Sequence, residues 1–180
     1  LLPEIRNEFG VSIGFIISLG PIVQLVTEGI SPITGYLADR LKRVRMLVVG
    51  NLIQNVSSIV AGQAPGVTQL AGSRFLGGLG GSISTPTEFP LLADWYPLDV
   101  RARIFNFKAL FGGLGLLVAP LIAGTLGHYF GWRFTVTTLG IFATAISLSF
   151  FLLKEPKRGR LDRQAMGANE EVANQEQAPV

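Results

Sequence analysis

Three ionisable side chains lie inside long apolar stretches of this sequence: Glu28, Arg74 and Glu88. A charge in hydrocarbon is costly, so such a residue must face a partner, water or a ligand, and each is a candidate for handling a charged solute or a proton. Around Arg74 the pattern continues at helical spacing. At about 100° per residue, Arg74, Gly78, Gly81, Thr85 and Glu88 fall within roughly 40° of one direction. A polar, small-residue stripe of this kind suits the wall of a water-filled path. It equally suits a salt-bridged packing seam, and Pro86 and Pro90 can turn Glu88 away from it. In the first apolar stretch Gln24, Glu28, Ser31 and Gly35 share a face, so Glu28 is either a titrating group or a carboxylate bonded to a neighbouring helix. Asn51, Gln54, Asn55 and Ser58 stand at i, i+3, i+4 and i+7, a spacing that favours hydrogen bonds between helices.

Other chemistries find little support. With no cysteine there is no thiolate nucleophile, disulfide framework or Cys-ligated metal, and a single histidine, His128, excludes a multi-histidine metal site within the chain. The glycine clusters end on Ile83 and Val118 where a dinucleotide fingerprint needs its last glycine, and there is no P-loop. No cofactor is implied, and no nucleophile–base pair marks an enzyme. The formal charge of +3 does not indicate a nucleic-acid partner, because the basic residues sit in short clusters between apolar runs rather than on one soluble face.

The elements that must carry these residues follow from composition. Hydrophobic residues make up 48% of the 180 and charged ones 15%, against a soluble norm of about 25%, so the bilayer is the expected solvent. Five stretches approach the roughly 20 apolar residues that cross about 30 Å of hydrocarbon: 11–38, 46–64, 67–93, 105–129 and 132–153. The expected architecture is an all-α membrane protein, a polytopic bundle of five visible transmembrane helices over 1–153. Residues 154–180, basic at first and then acidic and glutamine-rich, are expected to form a disordered linker. If successive joints alternate sides, twelve of the fifteen Lys and Arg fall on one side: Arg40 to Arg45, Arg101 to Lys108, and Lys154 to Arg163. The positive-inside rule makes that side cytoplasmic, which places 39–45, 94–104 and the tail in the cytoplasm of a multi-pass cell-membrane protein. The sequence opens on Leu1 with no apolar run before Val11, so a further helix upstream is expected.

Gly35-Tyr-Leu-Ala-Asp39-Arg40-Leu-Lys42-Arg43-Val-Arg45 resembles the cytoplasmic signature between the second and third helices of the major facilitator superfamily, G-x-x-x-D-[RK]-x-G-x-[RK]-[RK], with Lys42 at its glycine and Val44 at one basic position. Later residues resemble further family motifs in the same order. Arg74 with Gly77 and Gly78 resembles the fourth-helix R-x-x-x-G element, and Gly77 with Gly81 forms a G-x-x-x-G that permits close helix approach. Asp94 resembles the acidic residue that pairs with the signature. Gly115, Ala119, Pro120 and Gly124 resemble the fifth-helix pattern of antiporters, with alanine at two of its glycines, and Gly131-Trp132-Arg133 resembles the start of the sixth helix. GYLADR is also similar to spinster-type and drug-efflux-type branches.

The resemblance implies the N-terminal half of such a transporter, helices 2–6, with the first helix and a C-terminal six-helix half as missing partners and a small solute held between the halves. It further implies a cytoplasmic gate made by Gly35, Asp39, Arg40, Arg43, Arg45 and Asp94. Arg74, Glu88 and Glu28 would serve transport or coupling, the last with a proton. The expected function is secondary active transport of a small solute by alternating access, with proton-coupled antiport as one form. The alternative is a non-transporting scaffold or receptor built on the same helices.

Overall fold

A computed structural model describes residues 2–173. Every regular element among them is helical: α1 (Leu2–Phe9), α2 (Ile13–Glu28), α3 (Ser31–Arg40), α4 (Arg43–Gly62), α5 (Val67–Trp95), α6 (Leu98–Ser149), α7 (Arg160–Ala165) and α8 (Glu170–Ala173), with one 3-10 turn at Phe150–Leu152. By length and apolar character Arg43–Gly62 and Leu98–Leu152 qualify as membrane-crossing helices, and a third span is added if Leu2–Phe9 and Ile13–Glu28, bent by 109°, are taken together.

The local chemistry explains most boundaries. Ser12 caps α2 by accepting from the Phe15 amide at 3.1 Å. The stretch 11–38 is interrupted at Gly29 and Ile30, where Pro32 opens α3 as a first-turn proline should. Pro86 removes the amide that would have bonded the Ser82 carbonyl inside α5, and the Thr34 hydroxyl of α3 donates to that carbonyl at 2.7 Å instead.

Stretches 105–129 and 132–153 run together as α6, but Gly131 within it has φ 80° and ψ 160°, a conformation open to glycine and strained for other residues. Lys108 and Phe150 line one and the same cavity. A straight helix would hold them about 60 Å apart, so the chain reverses at Gly131 and α6 is a hairpin of two segments, 98–130 and 132–149. Both its ends lie with Asp94 and Arg43 at what is here termed the charged end, and Gly131 lies at the opposite end.

α4 is the centre of the bundle and packs most extensively on α5 and on the returning segment of α6. Glycine sets the distance. A Cβ on Gly50 would stand 2.6 Å from the Gly80 carbonyl oxygen, and one on Gly80 2.6 Å from the Gln54 amide, so the α4 and α5 backbones touch directly. The expected pair, Gly77 and Gly81, leaves ordinary van der Waals room at 3.6 and 3.9 Å, because it is Gly80 that points at α4. Gly78 meets α2 instead, with the Val23 methyl group 2.5 Å from where its Cβ would be. Ile5, Ala61, Ala64, Leu70 and Trp132 are buried together at the opposite end, and Val44, Val48 and Leu91 at the charged end.

The outward segment 98–130 keeps its apolar side chains exposed, Leu116 at 79% among them. Gly115, Ala119, Pro120 and Gly124 lie on it in exposed positions, and open space surrounds both glycines, so the expected packing motif meets no neighbour among the described residues. A surface this apolar is what a lipid solvent or further helices would cover.

Candidate functional site

A cavity of about 420 Å³ opens between α2, α3, α4 and α5. Gln24, Glu28 and Ser31 enter its lining from the first apolar stretch, and Arg74, Gly77, Gly78, Gly81 and Thr85 enter from α5, so the two helical stripes read from the sequence meet in one space, without Gly35 of the first. Gln54 and Ser58 of α4 face it as well, while Asn55, one residue round the helix, donates to the Ser147 hydroxyl of α6 at 2.8 Å. The four-residue polar pattern of α4 therefore divides: Asn55 makes the expected interhelical bond, and Gln54 and Ser58 line the cavity. Asn51 lines a separate cavity.

Glu88 does not join Arg74. It sits beyond Pro86, lines that separate cavity of about 380 Å³ with Leu47, Leu91, Trp95, Phe107 and Phe150, and pairs with Lys108 of α6 at 2.7 Å. The helical stripe ends at Thr85, because Glu88 was already at its edge by angle and has a cation on the other side. Its role is to tie the outward segment of α6 to α5, reinforced by the Lys108 ammonium 4.2 Å from the Phe89 ring.

At the charged end, Arg43 bonds Asp94 at 2.5 Å and approaches Asp39 at 3.5 Å. Arg40 takes no part in these contacts, since its guanidinium lies over the Tyr36 ring at 4.4 Å. Among the described residues no ion pair includes Arg45, and Gly35 has open space around it.

The tail supplies partners that sequence reasoning missed. The Glu155 carboxylate accepts from the Arg43 and Val44 amides at 2.7 and 3.0 Å, capping α4, whose own N-cap residue Lys42 has no acceptor. The Arg158 guanidinium donates to the carbonyls of Ala38, Asp39 and Leu41, which the end of α3 leaves unbonded. The Gly159 amide donates to Asp94 at 2.9 Å, and Arg101 pairs with Asp162 at 2.7 Å. The segment expected to be disordered thus carries α7 and α8 over its described part and straps the ends of α3, α4, α5 and α6 together; residues 174–180 lie outside the described residues. Its alternating charges were legible as a basic collar only, because the helix ends that recruit them are a property of the fold.

A second, smaller clamp holds the opposite end. Glu8 of α1 accepts from the Trp132 indole at 2.7 Å and from Arg133 at 2.6 and 3.0 Å, while Glu4 accepts from the Trp132 amide at 3.1 Å. The bonds from Arg133 and then from Trp132 hold the Glu8 carboxyl below its ordinary value. These contacts surround Gly131, where the chain turns back.

The bundle thus holds a polar cavity between α2, α3, α4 and α5 and, separate from its lining, a network of charges at the charged end that draws on four helices. A sequence model of the Major Facilitator Superfamily matches residues 1–176. The chain is 30% identical over 169 residues to multidrug resistance protein 1 of Bacillus subtilis (strain 168), covering 92% of this chain and 42% of that protein. It is 32% identical over 160 residues to the niacin transporter NiaP of Acinetobacter baylyi, covering 84% and 34% of the two chains. It is 31% identical over 144 residues to protein spinster homolog 1 of Xenopus tropicalis, covering 76% and 27%. The chain therefore spans less than half the length of these relatives.

Proposed function

This chain belongs to the major facilitator superfamily, and from that premise we propose that it is the gated half of a secondary active transporter that moves a small solute by alternating access. The observation that carries the reading is the cavity that gathers Glu28, Arg74, Gln54 and Ser58 from three helices of an otherwise apolar bundle. Here the solute path runs through that cavity. Residues 13–40, α4, α5 and the two segments of α6 supply five transmembrane crossings, the second to sixth helices of the fold, and a first helix and a second half complete the protein. Residues 39–45, 94–104 and the tail lie in the cytoplasm, where the Arg43–Asp94 network forms the inner latch. Charge-assisted bonds of this kind bias two states by about 1–3 kcal/mol, enough to change populations from fivefold to over a hundredfold. Glu28 is the one carboxylate among the described residues of the cavity lining, which makes it the coupling candidate there.

Two measurements on the complete protein test this. A cysteine introduced at Lys157 is expected to stay shielded from an impermeant thiol reagent in intact cells, while one at the exposed Pro65 reacts. Reconstituted vesicles are expected to accumulate or exchange solute. Labelling at Lys157 would overturn the sidedness, and sealed vesicles that bind ligand without moving it would favour the scaffold or receptor reading.

A further inference from the structure

The lining of the cavity restricts what can pass through it. Around its one cation and one carboxylate stand the amides of Gln24 and Gln54 and a ring of serine and threonine hydroxyls. Among the described residues Val23 and Ala61 are its only aliphatic side chains beyond glycine, and no aromatic ring lines it. Sites for lipophilic molecules bury them against apolar and aromatic side chains, and a lipophilic cation is held over ring faces. The described lining offers neither, and its hydroxyls and amides favour a guest that can hydrogen-bond to them.

Arg74 and Glu28 then define the solute's charge. A guanidinium stays protonated, and its planar fork matches a carboxylate with two parallel bonds. Among the described residues neither Arg74 nor Glu28 belongs to an ion pair, although both face the one cavity. Glu88, the third ionisable residue singled out in the sequence, is by contrast neutralised by Lys108. A cation and a carboxylate left facing one space, without closing on each other, are complementary to a molecule that carries both charges in the reverse sense.

Resting on the reading of this cavity as the solute path, we propose that the solute is a small hydrophilic amphoteric carboxylate, its carboxylate on Arg74 and its cationic or hydrogen-bond-donating end on Glu28. The class covers amino acids and betaines.

The test uses the complete protein in nanodiscs for binding and in proteoliposomes for exchange. The probes are radiolabelled alanine and glycine betaine, with benzoate as a carboxylate lacking the cationic end and tetraphenylphosphonium as a lipophilic cation. At least one amphoteric probe is expected to bind and exchange. Arg74→Gln should weaken its binding at least tenfold, and Arg74→Lys should restore part of the loss. Glu28→Gln should weaken the amphoteric probe while leaving benzoate unchanged. If Arg74→Gln does not yield folded protein, Arg74→Lys and Glu28→Gln carry the same comparison. Exchange of tetraphenylphosphonium alone, or amphoteric binding indifferent to both residues, would overturn the solute class and leave transport intact. Folded protein that exchanges none of the probes would count against both the solute class and the transport reading.

Discussion

The two ends of the bundle solve the same problem with different means. Each must hold exposed helix termini together where the chain turns, and each does so with carboxylates brought from a short segment outside the main helices. At the charged end the work is shared. Arg43 and Asp94 have side chains only 14% and 6% exposed, Asp94 serves Arg43 and the Gly159 amide at once, and Glu155 and Arg158 cap the two helices that flank the signature loop. At the opposite end most of the bonds converge on one carboxylate, Glu8, whose side chain is 41% exposed. Removing one member of a buried network strands the charges it paired with, whereas a single exposed carboxylate contributes less and depends on its own ionisation. The difference fits the latch proposed for the charged end.

The largest expected effect follows from removing the hub of the charged end. Asp94→Ala leaves the Arg43 guanidinium and the Gly159 amide without their acceptor in a largely buried place, and it should cost about 3 kcal/mol of stability, read as a fall in Tm in detergent. A Tm unchanged by this substitution would show that the two ends do not differ as described.

A smaller effect is expected from Glu8→Gln, which keeps the shape and removes the charge. It should lower Tm by less than Asp94→Ala and should abolish a pH dependence that the parent protein shows. Because the folded carboxyl titrates below its ordinary value of 4.5, the clamp contributes fully above that pH and is lost as pH falls through the lowered folded value. With Trp95 replaced by phenylalanine, Trp132 fluorescence should report that acid transition, and Glu8→Gln should flatten it.

The smallest stability effect is expected at Asp39. Its side chain is 67% exposed and stands 3.5 Å from Arg43, so Asp39→Asn should cost less than about 1 kcal/mol. Transport in the complete protein should nevertheless fall strongly, because an exposed carboxylate at a helix end is free to meet a facing element. Normal flux in this variant would remove Asp39 from the latch and leave the end as a purely structural clamp.

What the sequence alone determined is everything that depends on short-range periodicity. Apolar runs long enough to leave water dictated helices, proline and glycine marked their interruptions, and 100° spacing put Gln24, Glu28 and Ser31 on one face and Arg74, Gly78, Gly81 and Thr85 on another. Asp39, Arg43 and Asp94 were legible because the first two flank one short charged joint and all three resemble a known pattern. Tertiary structure decided the rest. That the two stripes meet in one cavity, that Asn55 bonds α6 while Gln54 turns to the cavity, and that Gly80 rather than Gly77 touches α4 all depend on rotations of one helix against another, to which a single helical period is blind. Glu88 left its stripe because Lys108 of α6 lay on its other side. The tail folded back because Glu155 and Arg158 satisfy backbone groups that become available only once α3 and α4 end side by side. A sequence states which charges a segment carries, but the unpaired helix ends that attract them exist only in the assembled bundle.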